Sequence, residues 1–207
     1  MFLPIFLAFF VAAHGATVHD ANVFMDQVLE REIPQLSQKL GMDPLKAQPY
    51  FSDLGTRDEL RVFLKDVKIT GLSQVRRSGD CSQPGYSSPG RLTVSCNVLL
   101  DRLSVHIVSD IRYMGGPERT VRTVATIAPN YALLEATAVE GRIPEVRLKP
   151  LKPFASTLNF TGLGDIPLER GLTRGFTYEV GQILKRELKS EYTEYIVHAL
   201  TKVPFPL

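Results

Sequence analysis

The residues best suited to metal binding, redox work or nucleophilic attack in this 207-residue chain are two cysteines, Cys81 and Cys96, and four histidines, His14, His19, His106 and His198. A zinc centre needs four ligands, and no histidine stands near either cysteine, so no metal is expected. The segment between the cysteines, SQPGYSSPG, is dense in Pro, Gly and Ser and reads as the loop at the tip of a hairpin. Two sulfurs flanking such a loop are either a disulfide or a free reactive thiol, and the compartment decides between them. The serines of the loop are turn formers rather than nucleophiles, and no Gly-x-Ser-x-Gly elbow, His-Glu-x-x-His helix or phosphate loop occurs. His106 falls on the polar face of its strand and His198 on the flank of a helix, both solvated positions rather than those of a general base. No catalytic residue and no cofactor are expected.

The compartment is read from the first residues, MFLPIFLAFFVAAHG, an apolar run followed by small residues. This pattern predicts a secretory signal peptide over residues 1–15, although its n-region lacks Lys and Arg; the alternative is a buried N-terminal strand. The run falls short of the ~20 apolar residues of a membrane span. Residues 16–207 are then one secreted domain, and in an oxidising compartment Cys81 and Cys96 pair. Closing a loop of that length stabilises the fold by roughly 3 kcal/mol through the unfolded state. The charge balance, 24 Lys and Arg against 22 Asp and Glu, excludes nucleic-acid binding as the main activity. Asn159-Phe160-Thr161 is a glycosylation sequon, in keeping with secretion.

The elements that must position these residues follow from periodicity. Ala21, Phe24, Met25, Val28, Leu29, Ile33, Leu36 and Leu40 recur at helical spacing, with Asp20 as the expected N-cap, Gly41 as the stop and a kink or break at Pro34. A longer helix from about Leu168 to Val203 carries its own apolar stripe and is about 30 residues long, or roughly 45 Å. Between about Val62 and Lys152 the period changes to 2, so long antiparallel strands covered on one side are expected. Turns are placed at Asp101-Arg102 and at MGGPE, and Gly71 is read as a bulge that bends the first strand.

The order helix, long meander, long helix predicts an α+β domain in which a strongly curved antiparallel sheet wraps around the C-terminal helix, with the N-terminal helix alongside. Val94, Val98, Val105, Ile107, Ile111, Val121, Ala125, Leu134 and Ala136 from the sheet, and Phe176, Val180, Ile183 and Leu184 from the helix, face each other. Pointing Glu135 outward turns Ala132, Leu134, Ala136 and Ala138 inward, and three alanines there leave room for a hydrophobic ligand. The alternative is a fully packed core.

Two segments carry a family resemblance. VKITGLSQVRRSGD, Val67 to Asp80, resembles the Gly-Leu strand of the group 7 mite allergens, and DPLK, Asp43 to Lys46, is similar to their Asp-Pro segment after the first helix. The resemblance extends in order over nearly all of residues 16–207, apart from the Cys81–Cys96 pair, which is not part of the group 7 pattern. The N-terminal cysteine pair of the related takeout proteins is also missing. The resemblance implies the tubular lipid-binding superfamily, which includes takeout, juvenile hormone-binding and bactericidal/permeability-increasing proteins: a superroll with a lipid-like molecule in its groove.

The expected function is therefore a secreted carrier of a hydrophobic ligand. The rival is a defence module that binds bacterial lipid or an anionic membrane surface, making transient contact through a basic end formed by Arg76, Arg77, Arg91 and Arg102.

Overall fold

The computed structural model describes residues 16–52, 60–88, 90–113, 115–139, 141–164 and 170–206. The expected signal peptide over 1–15 lies outside them, as does Leu168.

The N-terminal helix forms where the apolar spacing places it, but its start and middle differ from expectation. α1 (Val18–Asp26) is capped by Thr17, not Asp20. Asp20 is instead the third helical residue, and its carboxylate accepts the Thr17 N–H at 2.8 Å while the Thr17 hydroxyl accepts the Asp20 N–H, closing a capping box. A π-helical stretch, Gln27–Glu32, then leads into α2 (Ile33–Leu40), with Pro34 in its first turn. Proline lacks an N–H to donate, and the wider turn before it absorbs that missing bond without breaking the rod. Gly41 ends α2 at φ 64°.

The meander is made of long strands that all bend along one line. The short edge strands β1 (Leu45–Ala47) and β2 (Tyr50–Ser52) precede β3 (Leu60–Thr70), which turns a corner into β4 (Arg76–Arg77). After β5 (Gly85–Ser88), β6 (Arg91–Leu100) turns a corner into β7 (Ser104–Tyr113), β8 (Arg119–Ile127) into β9 (Asn130–Val139), and β10 (Glu145–Pro150) into β11 (Ser156–Thr161). One sheet has the order β1-β3-β7-β8-β11 with β2 also on β3; the other has the order β10-β9-β6-β4 with β5 also on β6. All pairings are antiparallel. Asp101-Arg102 is thus a bend between sheets, not a hairpin reversal. The curved sheet stays open, with β1 and β2 at one edge and β10 and β11 at the other.

Gly71 bends the first strand, but not as a bulge. It adopts φ 91° and opens a 3-10 turn, Leu72–Gln74. A Cβ at Gly71 would lie 2.0 Å from the Arg102 carbonyl oxygen of the next strand. The bulge sits earlier, between Leu64 and Asp66, where it moves the inward face from Val62 and Leu64 to Val67 and Ile69.

The expected single C-terminal helix is broken into α3 (Arg170–Lys189) and α4 (Glu191–Leu200) at Ser190, whose φ and ψ are -102° and -94°. The Thr193 hydroxyl donates to the Leu188 carbonyl at 2.8 Å, and the Ser190 hydroxyl adds a second bond to the Arg186 carbonyl at 3.0 Å beside the Ser190 N–H. α3 packs on β10 and β11, whereas α4 packs on β10 and α2. A straight rod cannot stay in contact with a bent sheet, and the break lets the helices follow it.

Cys81 and Cys96 are bonded, with their Cα atoms 4.2 Å apart. The bond crosses the hairpin whose arms are β4–β5 and β6, as the loop composition implied. The Asn22 side-chain oxygen accepts the Cys81 N–H at 2.8 Å and its amide donates to Asp80 at 2.8 Å, so the stapled loop also docks on α1.

The corner generates a test. Gly79 also has positive φ, 74°, but nothing lies within 4 Å of a Cβ placed there. Gly79→Ala should cost about 1–2 kcal/mol, the price of a left-handed backbone alone. Gly71→Ala should cost clearly more, because Arg102 must also move. Urea denaturation of the two variants checks this, and equal losses would mean that the two strands do not touch at the corner.

Candidate functional site

The candidate site is the interior between the bent sheet and the C-terminal helices. On β6 and β9, Val94 stands opposite Ala136, Cys96 opposite Leu134 and Val98 opposite Ala132. On β7 and β8, Val105 stands opposite Ala125, Ile107 opposite Thr123 and Ser109 opposite Val121. The sheet and helix residues expected to face each other across the interior, Ile111, Phe176, Val180, Ile183 and Leu184 included, are buried in one apolar cluster. Ala132 and Ala136 are inward as expected, whereas Ala138 is only half-buried.

Ala138 is half-buried because the inward row runs out of the fold there. It lies in an open depression of ≈ 520 Å³ whose walls include Val139, Ile143, Pro144, Leu200 and Phe205. Ile143 is 71% exposed, and Phe205 is held by the Phe24 ring, with centroids 4.6 Å apart. The row Ala132, Leu134, Ala136, Ala138 thus passes from the buried interior to an apolar mouth between the β9–β10 hairpin and the end of α4.

Polar groups also enter the interior. The Thr123 hydroxyl is buried with no hydrogen-bond partner among the described residues. Its pairing neighbours are Ile107 and Phe160, and Phe160 packs edge-on against Phe176 at 5.3 Å. Glu179 is buried between the apolar positions Phe176 and Val180 of α3, and the Tyr50 hydroxyl of β2 donates to its carboxylate. The Arg186 guanidinium stands over the Tyr50 ring, 4.9 Å from its centroid, and bonds Glu187 at 2.8 Å. The signal for Glu179 was present in the sequence: a carboxylate three residues after Phe176 stands on the face that packs inward.

This cluster is poorly suited to acid–base work. Burial, reinforced by the neighbouring Glu179 carboxylate, pushes the Tyr50 hydroxyl well above the ordinary phenol range. A phenol so held keeps its proton at neutral pH. His106 and His198 are exposed, with Ser104 Oγ 3.4 Å from His106.

The basic end does not assemble. Arg76 pairs with Asp101 at 2.7 Å, Arg77 forks onto Asp26 at 2.8 Å through both nitrogens, and Arg91 pairs with Glu145 at 2.6 Å. Arg102 donates to the Gln74 side chain at 2.9 Å. Arg91 pairs opposite Val139 while Arg76 pairs opposite Leu99, so the two stand at opposite ends of β6, about 25 Å apart. Carboxylates distant in sequence neutralise a cluster that looked basic from arginines alone.

Asn159 is exposed on the edge strand β11, opposite Val124 of β8. Among the described residues no His, Cys, Asp and Glu group is arranged to hold a metal, and no helix is long and apolar enough to cross a membrane.

No family model matches the chain. It is 25% identical over 215 aligned positions to the salivary anticoagulant protein P23 of the tick Ixodes scapularis, an alignment covering 94% of this chain and 93% of that one. Among solved structures it resembles Takeout 1 of Epiphyas postvittana, with a TM-score of 0.41, 14% identity and coverage of 86% and 87% of the two chains. That structural likeness is too distant to bear on function.

The Tyr50–Glu179 contact predicts a stability effect. Tyr50→Phe leaves a buried carboxylate without its phenol and should cost about 1–3 kcal/mol. Tyr131→Phe, at an exposed tyrosine, should stay within about 0.5 kcal/mol of wild type. Denaturant titration of both variants is the check.

Proposed function

We propose that this chain is a secreted binding or carrier protein that holds a hydrophobic, lipid-like ligand between its bent sheet and α3–α4 without covalent chemistry. The observation that carries the reading is the buried inward row Ala132–Leu134–Ala136, at whose end Ala138 borders a mainly apolar open depression of ≈ 520 Å³. Apolar walls on both sheet and helix favour an apolar occupant, and small side chains along one row are where it would lie. Val94, Val98, Val105, Ile107, Ile111, Val121, Ala125, Leu134, Ala136, Phe176, Val180, Ile183 and Leu184 are the proposed walls. The unpartnered Thr123 hydroxyl would gain a bond from a ligand with one polar atom in its body.

Secretion is supported by the Cys81–Cys96 bond, which persists in oxidising compartments, and by the similarity to a salivary protein. A signal peptide over 1–15 and a glycan on the exposed Asn159 belong to the same reading, as does membership of the tubular lipid-binding superfamily. The rival membrane-binding role through the arginines has less support, since Arg76, Arg77 and Arg91 are occupied by carboxylates within the fold and Arg102 donates to Gln74. A second reading is carried by the tick relative: an action on blood clotting, tested directly by the clotting time of plasma with and without the purified protein.

Native mass spectrometry of the secreted protein should show a co-purifying lipid. After delipidation a fluorescent fatty acid should bind at about one site per chain. Ala136→Phe should weaken that binding severalfold and leave the unfolding midpoint nearly unchanged, because the ring fills ligand space. If the substitution instead costs roughly 1–3 kcal/mol, Ala136 packs directly against a dense interior and the ligand reading fails at this position.

A further inference from the structure

Outside the interior, a cleft of ≈ 590 Å³ lies between the β10–β11 corner and the outer face of α3. Lys149 and Lys152 line it from the corner side and Lys185 from the helix, with Phe154 and Tyr178 as apolar walls and Gly181 between Tyr178 and Lys185. The volume falls within the roughly 300–1,000 Å³ of sites that take small organic molecules.

Three features of the cleft point to its occupant. No Asp or Glu lines it, and none of the three lysines is in an ion pair among the described residues, in contrast to Arg76, Arg77 and Arg91. Three ammonium groups around one concavity repel each other and are relieved by an anion. Tyr178 is 64% exposed and Phe154 is partly buried against the core, so the same concavity offers aromatic surface that water solvates poorly. Gly181 stands inside a helix, where glycine is less favourable than alanine, yet nothing lies within 4 Å of a Cβ placed there. Packing does not demand the missing side chain at Gly181, and its absence leaves the floor of the cleft clear.

We infer that this cleft is a second binding site, for an amphiphilic organic anion whose carboxylate or phosphate head meets Lys149, Lys152 and Lys185 and whose apolar body lies between Phe154 and Tyr178 over Gly181. Its concave shape suits one discrete molecule better than the plane of a bilayer. The site is independent of the interior reading, since none of its lining residues belongs to the inward row.

Dodecyl phosphate, titrated calorimetrically below its micelle concentration, is the probe. It should bind the wild-type chain at low salt and more weakly as salt rises. Replacing Lys149, Lys152 and Lys185 by Gln, surface changes that leave the unfolding midpoint in place, should weaken it about tenfold or more. Gly181→Phe, checked for folding by the same midpoint, should block it, and Ala136→Phe should leave it unchanged. Amide shift changes on probe binding should centre on residues 149–154 and 177–185. Undiminished affinity in the triple lysine variant overturns the site, as do shift changes centred on the interior row. Equal binding of dodecanol would mean an apolar contact only, and equal binding of inorganic phosphate a bare-anion contact only. Binding solely to phosphatidylserine-containing vesicles would mean a membrane surface. Each of these three results refutes the amphiphile.

Discussion

The fold depends on a buried corner where the chain's separate parts are bonded to one another. The Asp43 carboxylate accepts the Gly71 N–H at 3.1 Å, the Ser73 N–H at 3.0 Å and the Ser73 hydroxyl at 2.6 Å. It thereby caps the turn Leu72–Gln74, whose first amides have no partner within so short a helix. Gly71 presses against the Arg102 carbonyl, and the buried Tyr192 of α4 donates to the Leu72 carbonyl at 3.0 Å. Asp43 follows the first helix, Gly71 and Arg102 are the bends of adjacent strands, and Tyr192 belongs to the last helix. Removing the Asp43 carboxylate leaves the Gly71 and Ser73 donors without this partner, and removing the Tyr192 hydroxyl leaves the buried Leu72 carbonyl without its donor, a loss that is costly away from water. The sequence segments DPLK and VKITGLSQVRRSGD are those joined here.

From this corner the bend spreads across the sheet. Ile127 N–H donates to Leu103 at 3.0 Å, Ala128 N–H to Ala155 at 2.9 Å, and the Asn130 side chain to Lys152 at 3.0 Å. Each bend is bonded to its neighbour, so no strand can straighten alone. A sheet folded along such a line has an inner angle that must be filled, and α3 and α4, parted at Ser190, are what the chain supplies. The disulfide ties β6 to the loop at Cys81, and that loop docks on α1 through the Asn22 side chain.

The bend was legible in the sequence in a form that strict alternation hides. Inward residues recur every second position along each strand, then step by three at the corner: Ile69 to Leu72 to Val75, Leu100 to Leu103, Ile127 to Asn130. Two residues placed between inward positions let the chain turn without exchanging its faces, whereas a hairpin reversal needs polar residues on both sides of the turn. Read as alternation alone, Asp101-Arg102 looks like a reversal. Read as a step of three, it is a bend. The helix break at Ser190 was less legible, because the apolar stripe continues across it and only the shape of the sheet requires the interruption. The paired arginines were illegible for another reason: Asp26, Asp101 and Glu145 are remote in sequence, and only the fold brings them within reach.

The two faces of α3 show how charge is divided in this molecule. Its inner face carries Phe176, Val180, Ile183 and Leu184, and of its buried carboxylates Glu179 is satisfied by Tyr50 and Glu187 by Arg186. Its outer face carries Tyr178, Gly181 and Lys185, one apolar, one absent and one charged side chain at helical spacing. A near-neutral chain has no long-range field to attract an anion, so attraction must be local. It is local at the cleft, where Lys149, Lys152 and Lys185 are in no ion pair among the described residues, whereas Arg76, Arg77 and Arg91 are held by carboxylates of the fold. Arginine's rigid fork suits fixed bidentate partners such as Asp26, while lysine's flexible point charge stays available to a partner that comes and goes. Arg76, Arg77 and Arg91 hold parts of the architecture together, and the three lysines of the cleft leave the chemistry of that surface open.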